Sequence, residues 1–259
     1  MLTSLQNPLI KQLRKLQKAK ERHEQQLSLL EGTHLIEEAI ATDRSLATLC
    51  CTESWQRQHL ALYERAINRC DRAEIVSPEV LAAIATTVNP DGVVATIDRL
   101  LPIEPPTDPK LGVLLDTLQD PGNLGTIIRT AAAANVDGLW LSGNSVDLDH
   151  PKVLRASAGQ WFRLPMAESD DLPTLIEQQK RQGVQIVATL PNADRLYWQA
   201  DLRSPTLLLL GNEGAGLSPE LAAMADLAVS IPLARNVESL NVAIACALIL
   251  YEAQRQRQS

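Results

Sequence analysis

Thr206-Leu207-Leu208-Leu209-Leu210 is the stretch around which a fold for this chain has to be built. It is an apolar run of strand length, and it turns at once into Gly211-Asn212-Glu213-Gly214-Ala215-Gly216. Ser218-Pro219-Glu220 then reads as a helix start, with Ser at the cap, Pro at the first helical position and an acid in the first turn. A second short strand, Ala228-Val229-Ser230-Ile231-Pro232, leads into a polar loop over 233–238. Ser239-Leu240-Asn241-Val242 opens a long apolar helix that runs to about Glu252. Two strand-end loops rich in Gly and small polar residues thus lie close in sequence. In an open parallel α/β sheet such loops crowd the carboxyl ends of the strands, where ligands bind.

Upstream the same alternation repeats. Asn7-Pro8 predicts a capped helix through about Arg22, with Leu9, Leu13 and Leu16 as its apolar stripe. Strands are predicted near 28–32, 46–52, 75–76 and 92–97, with helices over 34–41 and 58–70 and from Ser77-Pro78-Glu79. Residues 1–100 therefore read as a small α/β domain with no catalytic constellation. Four prolines in residues 102–109 mark 101–110 as a semi-rigid linker. Beyond it, over 111–259, strands are expected at 111–115, 138–141 and 184–189, and helices at 124–134, 150–157 and 171–182. That rhythm predicts a mostly parallel sheet flanked by helices.

Composition excludes several classes of function. The 259 residues are 45% hydrophobic and 21% charged, an ordinary soluble composition. No apolar run is long enough to cross a bilayer and the amino terminus lacks a secretory pattern, so a cytoplasmic protein with no membrane anchor is expected. Cys50, Cys51, Cys70 and Cys246 form no C-x-x-C pair and the four His are scattered, so no metal site is expected. Net charge is −7, yet residues 1–22 carry six basic residues against Glu21, a local +5 that leaves −12 for the remainder. A basic helix on an acidic body suits phosphate binding by one edge; the plain alternative is a solvated helix face.

Singly, the candidate site residues are ambiguous. Gly211–Gly216 is spaced unlike a dinucleotide fingerprint, so it could be an ordinary βα turn or a ligand loop whose amides are approachable for want of a Cβ. Glu213 could be an orienting acid or a solvated one. Asn123, Ser239 and Asn241 sit at helix starts, where capping accounts for them. Arg129, among small and apolar neighbours, is either a salt-bridge partner or a site residue.

Taken together, Asp120-Pro121-Gly122-Asn123-Leu124-Gly125-x-x-x-Arg129, Gly211-Asn212-Glu213-Gly214-x-Gly216 and Ile231-Pro232-x6-Ser239-Leu240-Asn241-Val242-Ala243 resemble the three ordered motifs of the SpoU (TrmH-type) RNA 2′-O-ribose methyltransferases of the SPOUT superfamily. The resemblance covers 111–255 and takes in His150-Pro151-Lys152 and Arg155-Ala156-Ser157-Ala158-Gly159. Residues 1–100 are similar to the family's accessory RNA-binding domain, of ribosomal L30e type.

The resemblance implies a carboxyl-terminal trefoil knot, a homodimer with its active sites at the subunit interface, and an rRNA or tRNA substrate. It implies S-adenosylmethionine as methyl donor, held by loops containing Leu190, Gly211, Gly216, Ile231 and Leu240, with no metal. It assigns Arg129 as base, or as the group that orients the ribose hydroxyl and its phosphate, with Asn123, Glu213, Ser239 and Asn241 positioning it. On this division residues 108–259 alone should fold, dimerise and bind donor. Two other classes stay open: a catalytically silent RNA- or ribosome-binding protein on the same scaffold, and a nucleotide-binding α/β enzyme whose Gly211 loop holds phosphate.

Overall fold

The structure, a computed structural model, describes residues 1–99 and 103–258. Residues 100–102, where the expected linker begins, and Ser259 lie outside the described residues. The chain forms two compact units, one of Met1–Leu101 with Asp147–Phe162, the other of Pro102–Val146 with Arg163–Ser259.

In the first unit, β1 (Leu27–Glu31), β2 (Leu46–Cys51), β3 (Cys70–Ile75) and β4 (Val93–Asp98) make a mixed sheet in the order β1-β4-β2-β3. β4 runs antiparallel to both its neighbours, and β2 pairs parallel with β3. Around it lie α1 (Pro8–Lys15), α2 (Ala19–Gln25), α3 (Thr33–Ala41), α4 (Glu53–Gln58), α5 (Leu60–Ile67) and α6 (Pro78–Ile84). Asn7 caps α1 by accepting from the Leu9 N–H at 2.9 Å, with Pro8 following as the sequence predicts. Leu9, Ile10, Leu13 and Leu16 are buried in one core with Val80, Leu81 and Ile84 of α6.

The single helix predicted through Arg22 is two. Lys18 takes an extended backbone between α1 and α2, and Arg22 turns inward until it is fully buried. Its guanidinium donates to the Leu16 carbonyl at 3.2 Å, occupying a group that the end of α1 leaves open. It also donates to Asp147 at 2.7 Å and to Asp149 at 3.2 Å. Of the helix predicted over 58–70, Leu60–Ile67 forms α5; α4 (Glu53–Gln58), which precedes it across His59, was not predicted, and Cys70 already belongs to β3.

Those aspartates precede α8 (Pro151–Ala156), which packs beside β1. Here the structure departs from a second domain running unbroken over 111–259, because 147–162 clusters with the first unit. Ion pairs supply the physical reason: Asp149 also accepts from Arg99 at 3.0 Å, and Arg155 pairs with buried Glu31 at 2.8 Å. Thr86 and Thr87 each donate to Glu31 through both the N–H and the hydroxyl.

The second unit holds six parallel strands: β5 (Leu111–Leu115), β6 (Gly138–Ser142), β7 (Met166–Ser169), β8 (Gln185–Thr189), β9 (Thr206–Leu210) and β10 (Leu227–Val229), in the order β10-β8-β9-β5-β6-β7. Every residue of the two central strands, β9 and β5, is buried, which is why both read as unbroken apolar runs. Each fully buried Leu of β9 contributes on the order of 1.5–3 kcal/mol. The edge strand β7 escaped sequence reading, being four residues of mixed polarity with no β-branched side chain. The unit's helices are α7 (Pro121–Ala133), α9 (Leu172–Arg181), α10 (Pro219–Ala223) and α11 (Val242–Gln258).

Register decides which loops meet. Leu115 pairs with Leu210 at the last rung of β5 and β9, so the loops that follow them emerge side by side. The Asp116 carboxylate accepts from the Ser218 N–H at 3.1 Å, fastening one loop to the far end of the other. Thr189 pairs with Val229 at the ends of β8 and β10, and Leu190 N–H continues the ladder onto the Val229 carbonyl at 2.9 Å.

Candidate active site

The Gly211 loop closes on itself. Asn212 and Gly216 exchange backbone hydrogen bonds of 3.0 and 2.9 Å, and the Asn212 side chain accepts from the N–H groups of Gly214 and Ala215 at 2.8 and 2.9 Å. The same amide donates to the Thr117 carbonyl at 2.8 Å, tying the loop to the end of β5. Asn212 therefore organises the loop, a role the sequence reading missed although an Asn in a Gly-rich turn is its usual signal.

Gly211 and Gly216 are glycine for two different reasons. A Cβ at Gly211 would fall onto the backbone of Gly216 and Leu217, so the chain itself fills that space. Gly216 has open space about it but a φ of +74°, which disfavours a side chain by conformation. With the amides of Gly214, Ala215 and Gly216 already engaged, the loop does not offer them to a phosphate.

Around this loop lies a cleft of about 420 Å³ at the carboxyl ends of β8, β9 and β10. The structure brings Leu190, Gly211, Gly216, Ile231 and Leu240 into its wall, together with Glu213 and Ser239. Leu210, Leu217, Leu233 and Val242 add apolar surface, and Glu238 a second carboxylate. None of the described residues lining it is Lys, Arg or His. An apolar cleft with two acids and no base suits a flat apolar group carrying positive charge; a polyphosphate would find no counter-charge there.

Beside the cleft, three of the candidate polar residues join in a hydrogen-bonded chain. Asn241 Nδ2 donates to Asn123 Oδ1 at 2.8 Å, and Asn123 Nδ2 donates to Glu213 Oε1 at 3.1 Å. Glu213 further accepts from the N–H groups of Gln119 and Asp120 at 3.2 and 3.0 Å. Burial works against its charge, but these donors, the Asn123 amide foremost, outweigh it and hold its carboxyl below the usual glutamate range. Glu213 is thus ionised at neutral pH and pins the starts of α7 and α11 to the Gly211 loop.

Capping is shared out differently from expectation. Asp120, not Asn123, caps α7, accepting from the Asn123 N–H at 2.9 Å, and Asp before Pro-Gly was a readable cap signal. Asn123 is free of that duty and spends its side chain on Glu213 and Asn241. Asn241 does both: its carbonyl accepts from the N–H groups of Ala243 and Ile244 at 2.9 and 3.3 Å while its amide reaches Asn123.

Arg129 stands apart from this chain. It lies six residues beyond Asn123 on α7, about 9 Å along the axis, and its side chain is exposed. Among the described residues it makes no hydrogen bond and no ion pair, so the salt-bridge reading has no partner to offer. Nor does any of Asn123, Glu213, Ser239 or Asn241 hold it directly.

Of potential metal ligands, His23, Asp147 and Asp149 come together among the described residues. Arg22 and Arg99 already neutralise that pair of carboxylates, so the group is an ion-pair network rather than a cation site.

Residues 110–251 match the SpoU rRNA Methylase family, and residues 7–95 match the MRM3-like substrate binding domain. The chain belongs to the SpoU methylase family. Among its relatives, an uncharacterized tRNA/rRNA methyltransferase of Synechocystis sp. is 48% identical over 258 residues, covering 99% of this chain and 94% of that one. The 23S rRNA (guanosine(2553)-2′-O)-methyltransferase RlmP of Bacillus subtilis is 31% identical over 250 residues, covering 96% and 97%. A crystal structure of an AdoMet-bound rRNA methyltransferase from Sinorhizobium meliloti superposes with a TM-score of 0.86 at 35% identity, covering 100% of this chain and 98% of that one. Every candidate residue discussed above falls inside the SpoU segment, and so do the cleft and the hydrogen-bonded chain beside it.

Proposed function

We propose that this SpoU family member methylates a ribose 2′-hydroxyl of ribosomal RNA with S-adenosylmethionine as donor. The cleft carries the reading, being apolar, lined by Glu213 and Glu238, and free of basic side chains among its described residues. Such a lining fits an adenine and a cationic sulfonium, whereas a nucleotide-phosphate enzyme needs cations there. Relatives support the substrate class, since the Bacillus protein is named for 2′-O-methylation of 23S rRNA and the Sinorhizobium structure is named as AdoMet-bound.

The donor supplies a methyl group already activated on positively charged sulfur, so the protein has to hold, align and exclude rather than activate. Leu190, Gly211, Gly216, Ile231 and Leu240 hold the donor. Asn123, Glu213 and Asn241 fix the loops that bear on the ribose, and Ser239 faces the same cleft. Arg129 takes the ribose hydroxyl and its phosphate. A guanidinium keeps its proton at any physiological pH, so its strength here is a planar, charged fork that aligns the hydroxyl for attack.

We further assign residues 1–100 to RNA binding on an L30e-like scaffold, 101–110 to the linker, and 111–259 to methyl transfer. The strand order β10-β8-β9-β5, with the cleft at the ends of β8, β9 and β10, is compatible with a carboxyl-terminal trefoil knot. Homodimerisation is supported by α11, whose Ile244, Leu248 and Tyr251 are 50%, 37% and 51% exposed at i, i+4, i+7 spacing. No helix among the described residues is long and apolar enough to cross a membrane, and we place the protein in the cytoplasm with its RNA.

The deciding experiment incubates the full-length protein with methyl-labelled S-adenosylmethionine and deproteinised rRNA, then maps 2′-O-methyl positions. Label at a defined ribose is expected. RNA binding without transfer would make the protein a silent binder on the same scaffold.

Glycine substitution separates the loop's own packing from donor contact. Gly211→Ala is expected to lower the melting temperature and abolish donor binding together, because the backbone of Gly216 and Leu217 must move. Gly216→Ala should cost only about 1–2 kcal/mol of conformational strain and retain measurable binding. Calorimetric titration beside a thermal melt checks both, and a Gly211→Ala protein with wild-type stability would refute this packing.

A further inference from the structure

We infer that the solvent face of α1 and the turn after it form an RNA backbone-binding edge, with Lys11, Arg14 and Lys18 as its phosphate contacts. This rests on the proposed action on RNA and deepens it by naming the surface. α1 is strictly two-sided. Leu9, Ile10 and Leu13 are buried beneath it, with Leu16 just past its end, while Lys11, Arg14 and Lys15 point the opposite way and are exposed. Helical geometry accounts for this, since positions 11, 14 and 15 (i, i+3, i+4) share a face that 9, 13 and 16 do not.

Structure also sorts the basic residues into those that can serve and those that cannot. Arg22, counted in the local +5, is fully buried against Asp147 and Asp149 and leaves the surface. Lys15 and Lys20 lie 3.8 and 3.6 Å from Glu21 and Glu24 and are partly compensated. Lys11, Arg14 and Lys18 are exposed, and their side chains make no hydrogen bond or ion pair among the described residues. Complementing the helix dipole accounts at most for Arg14 and Lys15, which lie in the last turn of α1, and not for Lys11 or Lys18. Three exposed cations without a carboxylate partner among the described residues, two on the solvent face of α1 and the third in the turn after it, are in a chain of net charge −7 a feature to be matched by an extended polyanion.

The match to a substrate-binding domain over residues 7–95 includes this edge without saying which of its faces meets the ligand. Phosphate contacts of this kind set affinity and register and carry no base specificity.

The test is the full-length triple variant Lys11→Gln, Arg14→Gln, Lys18→Gln beside wild type. RNA affinity is measured by titration with a deproteinised rRNA fragment across a salt series, with methyl transfer assayed in parallel. The expected result is a log K against log salt slope shallower by about 2 to 3, because each lost phosphate contact removes roughly 0.7–0.9. KM for RNA should rise while kcat at saturating RNA, donor affinity and melting temperature stay at wild-type values. An unchanged slope and KM overturn the inference. So does a variant that binds naked rRNA normally but fails on intact ribosomal particles, which would give the edge to an acidic protein partner. Should no rRNA be methylated by either protein, the salt slopes still decide this surface, and only the catalytic reading falls.

Discussion

Replacing Arg129 by Ala should lower kcat by about 10²- to 10⁴-fold, the range that one positioned charge-stabilising or proton-handling group supplies. Stability should not follow. Arg129 is exposed, with no hydrogen bond or ion pair among the described residues, so its removal leaves no buried group unsatisfied. Donor binding should persist, because Arg129 is not in the wall of the cleft. An interaction made only in the transition state lowers kcat and kcat/KM together and need not weaken the ground state. Arg129→Lys should recover little of the rate, since an ammonium cannot reproduce the planar fork. Single-turnover methyl transfer, read beside calorimetric donor titration and a thermal melt, checks all of this. A variant that is destabilised yet turns over normally per folded protein would return Arg129 to a structural role.

What could be read from the chain, and what could not, follows from the range of each interaction. Both central strands were legible because burial on two faces writes itself as an unbroken apolar run, Leu111–Leu115 and Thr206–Leu210. Caps at Asn7 and Ser77 were legible because a cap and its helix are neighbours in sequence. Gathering Asn123, Glu213 and Asn241 into one hydrogen-bonded chain was beyond local reading, because it depends on the pairing of β5 with β9 across about ninety residues of chain. Their candidacy came from resemblance; their contacts come from register. Arg22 shows the opposite failure. Its sequence context is a basic helix face, and only Asp147 and Asp149, more than a hundred residues away, explain why it turns inward.

Asp149 is where the largest loss of stability is expected. It is 2% exposed and accepts from Arg22 Nε at 3.2 Å, Arg99 Nε at 3.0 Å and the Ser28 hydroxyl at 3.0 Å. Asp149→Asn keeps the size and removes the charge, leaving Arg22, with no exposed surface, paired to Asp147 alone. Breaking a buried pair from one side typically costs about 3–5 kcal/mol, because the remaining charge is desolvated without compensation. Removing both charges should cost much less. Arg22→Met combined with Asp149→Asn is expected to recover a large part of the loss, although Arg99 still lacks its acceptor. Urea unfolding of wild type, Asp149→Asn, Arg22→Met and the double variant measures the coupling as a double-mutant cycle. The same contacts bear on where the chain can be divided. A chain starting at residue 108 keeps Asp149 and Arg155 but loses Arg22, Arg99 and Glu31, and with them β1, beside which α8 packs. The independent folding that the proline-rich linker suggests should therefore fail: the truncated chain should precipitate or melt well below the full protein. If Asp149→Asn unfolds within about 0.5 kcal/mol of wild type, as an ordinary surface substitution would, the cluster contributes nothing and the shortened chain should fold unaided.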